Sequence, residues 1–234
     1  MERSEVIQRL AVVRARIHAA TVASHRESDS VALLAVSKFH PAEAVRATHL
    51  AGQRMFGENR VQELVQKARD VRDLDGLQWH MIGSLQTNKV GELLDVHGLA
   101  MLHSLDRQKL ADALQKELAA RSRSLAVLIQ VHATGEATKH GCLPTEVDGL
   151  VDHVRARCPN LQLRGLMAMG PLDGDPAPVF ARVAAMLRDL RQRTGLALDV
   201  LSMGMSGDLE IAVEHGATMV RIGTDVFGAR EEGV

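Results

Sequence analysis

The sequence predicts a closed (β/α)8 barrel, a TIM barrel. Three observations carry this reading. A short apolar run followed by an amphipathic helical pattern recurs eight times. The 234 residues come close to the ~250 typical of such a barrel. No Gly-x-Gly-x-x-Gly follows any of the runs, which counts against the alternative, a doubly wound open sheet with a glycine-rich first turn. Alternation of strand and helix argues for parallel strands.

The elements follow in order. Residues 1–20, "MERSEVIQRLAVVRARIHAA", place Val6, Leu10, Val13 and Ile17 at helical spacing. Glu2 and Glu5 argue against a signal or transit peptide, so this stretch reads as an extra helix docked on the barrel. The apolar runs are 31–37, 54–57, 77–83, 100–105, 125–131, 163–169, 199–205 and 218–223, with 54–57 the shortest. Helical patterns fall at 41–50, 61–69, 88–94, 106–120, 146–157, 178–193 and 209–215. Pro41 suits a first turn, and Asp106 suits an N-cap before Leu110, Leu114 and Leu118. Pro159 stops the fifth of these helices, and Gly195 and Gly216 close later ones. No low-complexity linker divides the chain, so residues 1–234 read as one domain.

Composition excludes several functions. The formal net charge is −1 and aromatics make up 2%, so neither a basic nucleic-acid stripe nor a base-stacking platform is expected. No apolar run approaches the ~18–20 residues of a membrane span. Cys142 and Cys158 form no Cys-x-x-Cys and read as reduced thiols of a cytoplasmic protein. Eleven histidines are scattered without metal-ligand spacing, so no metal site is expected.

In a barrel, strand C-termini meet at the functional rim. The first strand, "VALLAVSKFHP", ends in Lys38, one of only six lysines. With it at the rim would lie Asn59, His80, Gly83, Ser104, His132, Met169, Ser206 and Thr224. Ser206-Gly207 follows the seventh strand and opens a helix, and Gly223-Thr224 follows the eighth and opens a short turn. Small residues and free N–H groups there suit a phosphate. Asp208 and Asp225 oppose this unless their side chains turn away. In a closed barrel the first and eighth strands are neighbours, so the amine and the phosphate site come together. A deprotonated lysine beside a phosphate suggests pyridoxal 5′-phosphate (PLP), and a Schiff-base enzyme of phosphosugars has the same outline.

The motifs "AVSKFHP", "MFGENRVQE", "WHMIGSLQTNK", "GLMAMGP" and "LSMGMSGDLEIAVEHGATMVRIGTDVFGAR" closely resemble the PLP homeostasis protein family, also called proline synthetase co-transcribed proteins. That family is similar to the N-terminal barrel of alanine racemase, a fold-type III PLP protein. The resemblance implies that Lys38 is the aldimine lysine and that Asn59 lies beside the cofactor ring. It implies that Ser206, Gly223 and Thr224 hold the phosphate, with Gly207 adding an N–H. Arg221 would face the pyridine nitrogen, and His80 and Met203 would line the pocket. One departure stands out: Val131-His132 replaces the usual Val-Asn pair. Downstream, Glu136, Lys139 and Gly141 keep the family pattern, with Lys139 read as a solvated surface lysine.

An arginine at the ring nitrogen is a charged donor only. The nitrogen would then stay unprotonated and the cofactor would be a weak electron sink. Racemisation remains conceivable, but it needs an acid/base on each face of the substrate carbon. Alanine racemase uses a tyrosine from a second domain for one face. This chain has no tyrosine, and nothing favours His80 or His132 as its substitute. The resemblance therefore implies a monomeric cytoplasmic PLP carrier that passes the cofactor to apo-enzymes, with an amino-acid racemase as the alternative.

Overall fold

In the computed structural model, residues 3–134 and 140–228 are described. Helix α1 (Arg3–Ala23) precedes strand β1 (Ala32–Val36) and α2 (Ala42–Leu50). Strand β2 (Met55–Glu58), α3 (Val61–Asp70), β3 (Gln78–Met81) and α4 (Val90–Leu94) follow. Then come β4 (Leu99–Leu105), α5 (Gln108–Ala120), β5 (Leu125–Gln130) and α6 (Val147–Arg157). The chain continues through β6 (Leu161–Met167), α7 (Ala177–Thr194), β7 (Val200–Ser202), α8 (Leu209–Glu214), β8 (Met219–Ile222) and α9 (Thr224–Phe227). The eight strands are parallel and close in chain order, β8 pairing β1 through Leu33–Val220 and Ala35–Ile222.

Alternation along each strand sorts side chains into two layers. Trp79 and Met81, Val220 and Ile222, and Leu102 face outward into a continuous apolar layer shared with the helices. Met101, Leu128 and Met167 form a small apolar floor inside the barrel. His80, His103 and Arg221 alternate with the outward residues and so share the interior. All three are buried.

Helix α1 seats Val6, Leu10, Val13, Ile17 and Ala20 against the barrel, meeting α2, α8 and α9. The docked helix expected from the spacing is therefore present. Asp106 is not the cap of α5: Arg107 occupies that position without a side-chain bond, and Asp106 instead receives the Arg107 guanidinium. The pattern at 88–94 splits into a 3-10 turn, Thr87–Lys89, and α4. Cys142 and Cys158 are both buried and free.

Candidate functional site

A cavity of about 620 Å³ opens at the strand C-termini. Its wall includes Lys38, Asn59, Ser206, Gly207, Arg221, Gly223 and Thr224, drawn from β1, β2, β7 and β8 or the loops just past them. Seven of the nine expected residues thus share one cavity. His80 and Met203 lie off its wall. Ser202 turns inward to bond Arg221, so Met203, the next residue, turns outward and is buried in the apolar layer. His80 sits in the interior and reaches the cavity only through other side chains.

Lys38 is half-buried, one residue past the fully buried Ser37. The backbone before it is braced by three side chains. Lys67 of α3 donates to the Ser37 carbonyl oxygen and to Glu58 Oε1, both at 2.7 Å. The Ser37 hydroxyl donates to the same carboxylate oxygen at 2.6 Å. Glu58 is fully buried. Burial raises its pKa, and the Lys67 charge, together with hydrogen bonds from Lys67 and Ser37, opposes that rise. A buried ion pair of this kind fixes geometry more surely than it adds stability.

Asn59 is placed by a close approach of two loops. A Cβ on Gly83 would lie 2.0 Å from the Asn59 carbonyl oxygen, so no side chain fits between the ends of β2 and β3.

Arg221 is buried without a carboxylate in ion-pair contact among the described residues. Its guanidinium donates to the Ser202 carbonyl oxygen at 2.7 Å, to Ser202 Oγ at 2.9 Å and to the Ala168 carbonyl oxygen at 2.9 Å. Burial lowers its pKa to about 10, which still leaves it charged at neutral pH. Ser202 Oγ lies 3.2 Å from His103 Nδ1, and His103 Nε2 lies 2.8 Å from His80 Nδ1. One proton order satisfies both contacts of this string. The Ser202 hydroxyl donates to His103 Nδ1, and His103 Nε2–H donates to His80 Nδ1. His80 Nε2 is then the terminal donor, and it has no partner among the described residues. Burial pushes the His80 pKa down to about 4. Burial, then His80 and Arg221, push His103 well below its ordinary 6.5. Both rings are neutral at neutral pH.

The loops after β7 and β8 present the other wall. Among the described residues no group accepts the backbone N–H of Ser206, Gly207, Gly223 or Thr224. Both acidic neighbours are held by partners. Asp208 Oδ1 accepts the Met205 N–H at 2.6 Å, and Asp225 Oδ2 accepts from Arg16 of α1 at 2.5 Å. Gly204 directs the first loop: its φ is +94°, and a Cβ there would meet the Ala212 Cβ at 2.6 Å. The end of β5 contributes Gln130, which donates to the His140 carbonyl oxygen at 2.9 Å. Gln130 and His140 both line the cavity. His132 does not, and its Nε2 is buried without a partner among the described residues. Glu136 and Lys139 lie outside the described residues.

Comparison with known proteins now bears on this cavity. The alanine racemase N-terminal domain family matches residues 13–231. A pyridoxal phosphate homeostasis protein of Pseudomonas aeruginosa is 45% identical over 98% of this chain and 98% of its own length. The human protein of that name is 38% identical over 95% of this chain and 86% of its own. The chain belongs to the pyridoxal phosphate homeostasis protein family. PipY of Synechococcus elongatus, solved with PLP bound, is 35% identical, with a TM-score of 0.83 over 95% of this chain and 100% of its own. Alanine racemase of Corynebacterium glutamicum shares the fold, with a TM-score of 0.70 at 16% identity, over 99% of this chain and 62% of its own.

Six residues of this family member's site went unread as site residues in the sequence: Arg16, Ser37, Glu58, Lys67, His103 and Ser202. Lys67 had a visible signal. It sits three residues after Leu64 on the buried face of α3, where a solvated lysine has no place. Glu58 lies inside a quoted motif and shares the outward face of Phe56, but nothing local marks it as a buried partner of α3. His103 and Ser202 meet across 99 positions, which no spacing rule reaches.

Proposed function

We propose that this chain holds pyridoxal 5′-phosphate in the cavity, with Lys38 as its covalent anchor, and serves to store the cofactor and deliver it to apo-enzymes. One observation carries the reading: one cavity is lined by a half-buried lysine and by four residues whose backbone N–H groups no described group accepts. The volume lies within the ~300–1,000 Å³ usual for small-ligand sites. The donor set fits a group that ends in a phosphate and carries an aldehyde. PipY, similar over nearly the whole chain, was solved with PLP bound, and the relatives carry the homeostasis name.

The bound group supplies an electrophilic aldehyde carbon and a conjugated ring. The chain's own residues do the rest. Lys38 would hold the aldehyde carbon through its amine, which must be deprotonated to do so. Ser206, Gly207, Gly223 and Thr224 donate to the phosphate oxygens. Asn59 orients the ring edge. Arg221, held by two carbonyls and a hydroxyl, presents a permanent positive charge to the ring nitrogen and leaves no acceptor for a pyridinium proton. That arrangement holds the cofactor while limiting its power to stabilise a carbanion, which suits a carrier. We further assign the chain to the cytoplasm as a monomeric single-domain protein. Two buried thiols in separate places fit a reducing compartment, and no described helix is long and apolar enough to cross a membrane.

The test is spectroscopic. The purified protein is expected to be yellow, and Lys38→Ala is expected to lose that colour. A colourless protein that takes up no PLP sinks the proposal. Chiral analysis of amino acids after incubation separates a carrier from a racemase. His140 is the imidazole on the described cavity wall, so turnover abolished by His140→Ala would establish the racemase instead. Transfer of PLP to an apo-enzyme faster than dissociation into solvent supports delivery.

A further inference from the structure

Arg16 lies on α1, outside the barrel and far in sequence from the loops after β7 and β8. Its guanidinium nonetheless spans both loops of the anion cradle. Nη2 donates to the Ser206 carbonyl oxygen at 3.0 Å, and Nη1 donates to Asp225 Oδ2 at 2.5 Å. Nε and Nη2 grip the Glu210 carboxylate at 2.8 and 3.0 Å. Such a fork holds several acceptors in one fixed geometry, which a lysine cannot do.

We infer that Arg16 is a positioning residue for the phosphate cradle, aiming the Gly207 N–H and cancelling the Asp225 charge. The inference rests on the cofactor reading above. Peptide geometry carries the first part. In a trans peptide the C=O and the following N–H point in opposite directions. Arg16 holds the Ser206 carbonyl on the outer side, so the N–H of the same peptide unit, which belongs to Gly207, points inward. A Cβ built on Gly207 meets nothing within 4 Å, so the approach to that N–H is open.

Electrostatics carries the second part. Asp225 adjoins Thr224, which lines the cavity, and a bare carboxylate there repels a dianion. Asp208 is held by the Met205 N–H, and its charge acts on Arg221 of the cavity wall. Arg16 itself does not line the cavity. The apolar seam of α1, formed by Val6, Leu10, Val13 and Ile17, does not include Arg16, so substitution there leaves the apolar contacts of the helix in place.

The experiment compares two ligands, PLP and its dephosphorylated form pyridoxal, titrated into the full chain and followed by absorbance. Arg16→Gln is expected to weaken PLP binding about tenfold and to leave pyridoxal binding unchanged. Adding Asp225→Asn to Arg16→Gln is expected to restore most of the lost preference for the phosphorylated ligand. Salt is expected to shrink the difference between Arg16→Gln and the native chain. Equal weakening of both ligands, or no rescue by Asp225→Asn, overturns the inference and leaves the cofactor reading standing. A native chain that binds neither ligand overturns both. Should Arg16→Gln fail to fold, Asp225→Asn alone decides the matter. It frees the Arg16 charge and is expected to tighten PLP binding relative to pyridoxal, and an unchanged ratio overturns the inference.

Discussion

Two buried imidazoles beneath Arg221 show how single residues set the character of the cavity. A carboxylate at Ser202's place would pair with the guanidinium and dilute its charge at the rim. A neutral string of hydroxyl and imidazoles bonds it without doing so. The string has a cost in acid. His80 titrates near 4 in the folded chain and near 6.5 when unfolded. Between those values the unfolded chain binds a proton that the folded chain refuses, so stability is intact above pH 6.5 and drains as pH falls toward 4. His80 alone contributes about 3 kcal/mol to that loss, and His103 acts in the same direction. Urea unfolding of the native chain is expected to show a steep loss across this window. His80→Leu is expected to flatten it, whatever its effect at pH 7. An unchanged slope would mean that the rings are hydrated rather than buried.

At the scale of elements, the loop after β7 depends on Gly204. Its backbone has φ +94° and its missing side chain admits Ala212. Gly204→Ala is expected to lower stability by roughly 2–3 kcal/mol and to weaken PLP binding, because the Met205–Gly207 loop must move. Gly174 has the same φ of +94° with open space around it, so Gly174→Ala isolates the backbone contribution and is expected to cost less than half as much in the same denaturation assay. Sequence periodicity located all eight strands and the docked α1, because hydrophobic spacing is a local signal. It overextended β7, read as 199–205, because an inward-outward apolar run looks alike in a strand and in the loop beyond it. Gly204 ends that strand for a tertiary reason, its contact with α8. The cap assigned to Asp106 failed similarly: an adjacent arginine claimed the carboxylate. Lys38, Asn59 and the two glycine loops were legible because each sits at a strand end, where position implies exposure to the rim. The braces behind them were not, since Lys67, His103 and Arg16 find their partners through the fold.

The molecule as a whole places Lys38, the proposed anchor, and the loops of the proposed anion cradle on strands from opposite ends of the barrel's order. Closure of β8 onto β1 is what joins them. The register Ala35–Ile222 sets Val36 beside Gly223, and a Cβ on Gly223 would approach the Val36 carbonyl oxygen at 3.3 Å. The seam is the joint between the two halves of the site.

That seam makes the site a product of the most distant pairing in the sheet. Contacts separated by nearly the whole chain form late, since the intervening loop entropy must be overcome first. A half-assembled barrel therefore offers either an amine or a cradle, but not both. In refolding from urea with PLP present, yellow colour is expected to appear no earlier than the slowest fluorescence phase reported by Trp79. Colour developing ahead of that phase would show that strands one and eight meet before the rest of the wall is built. If the order holds, the cofactor is a natural stopwatch for barrel closure, and a chain trapped part-way cannot sequester an aldehyde that it is not yet able to hold.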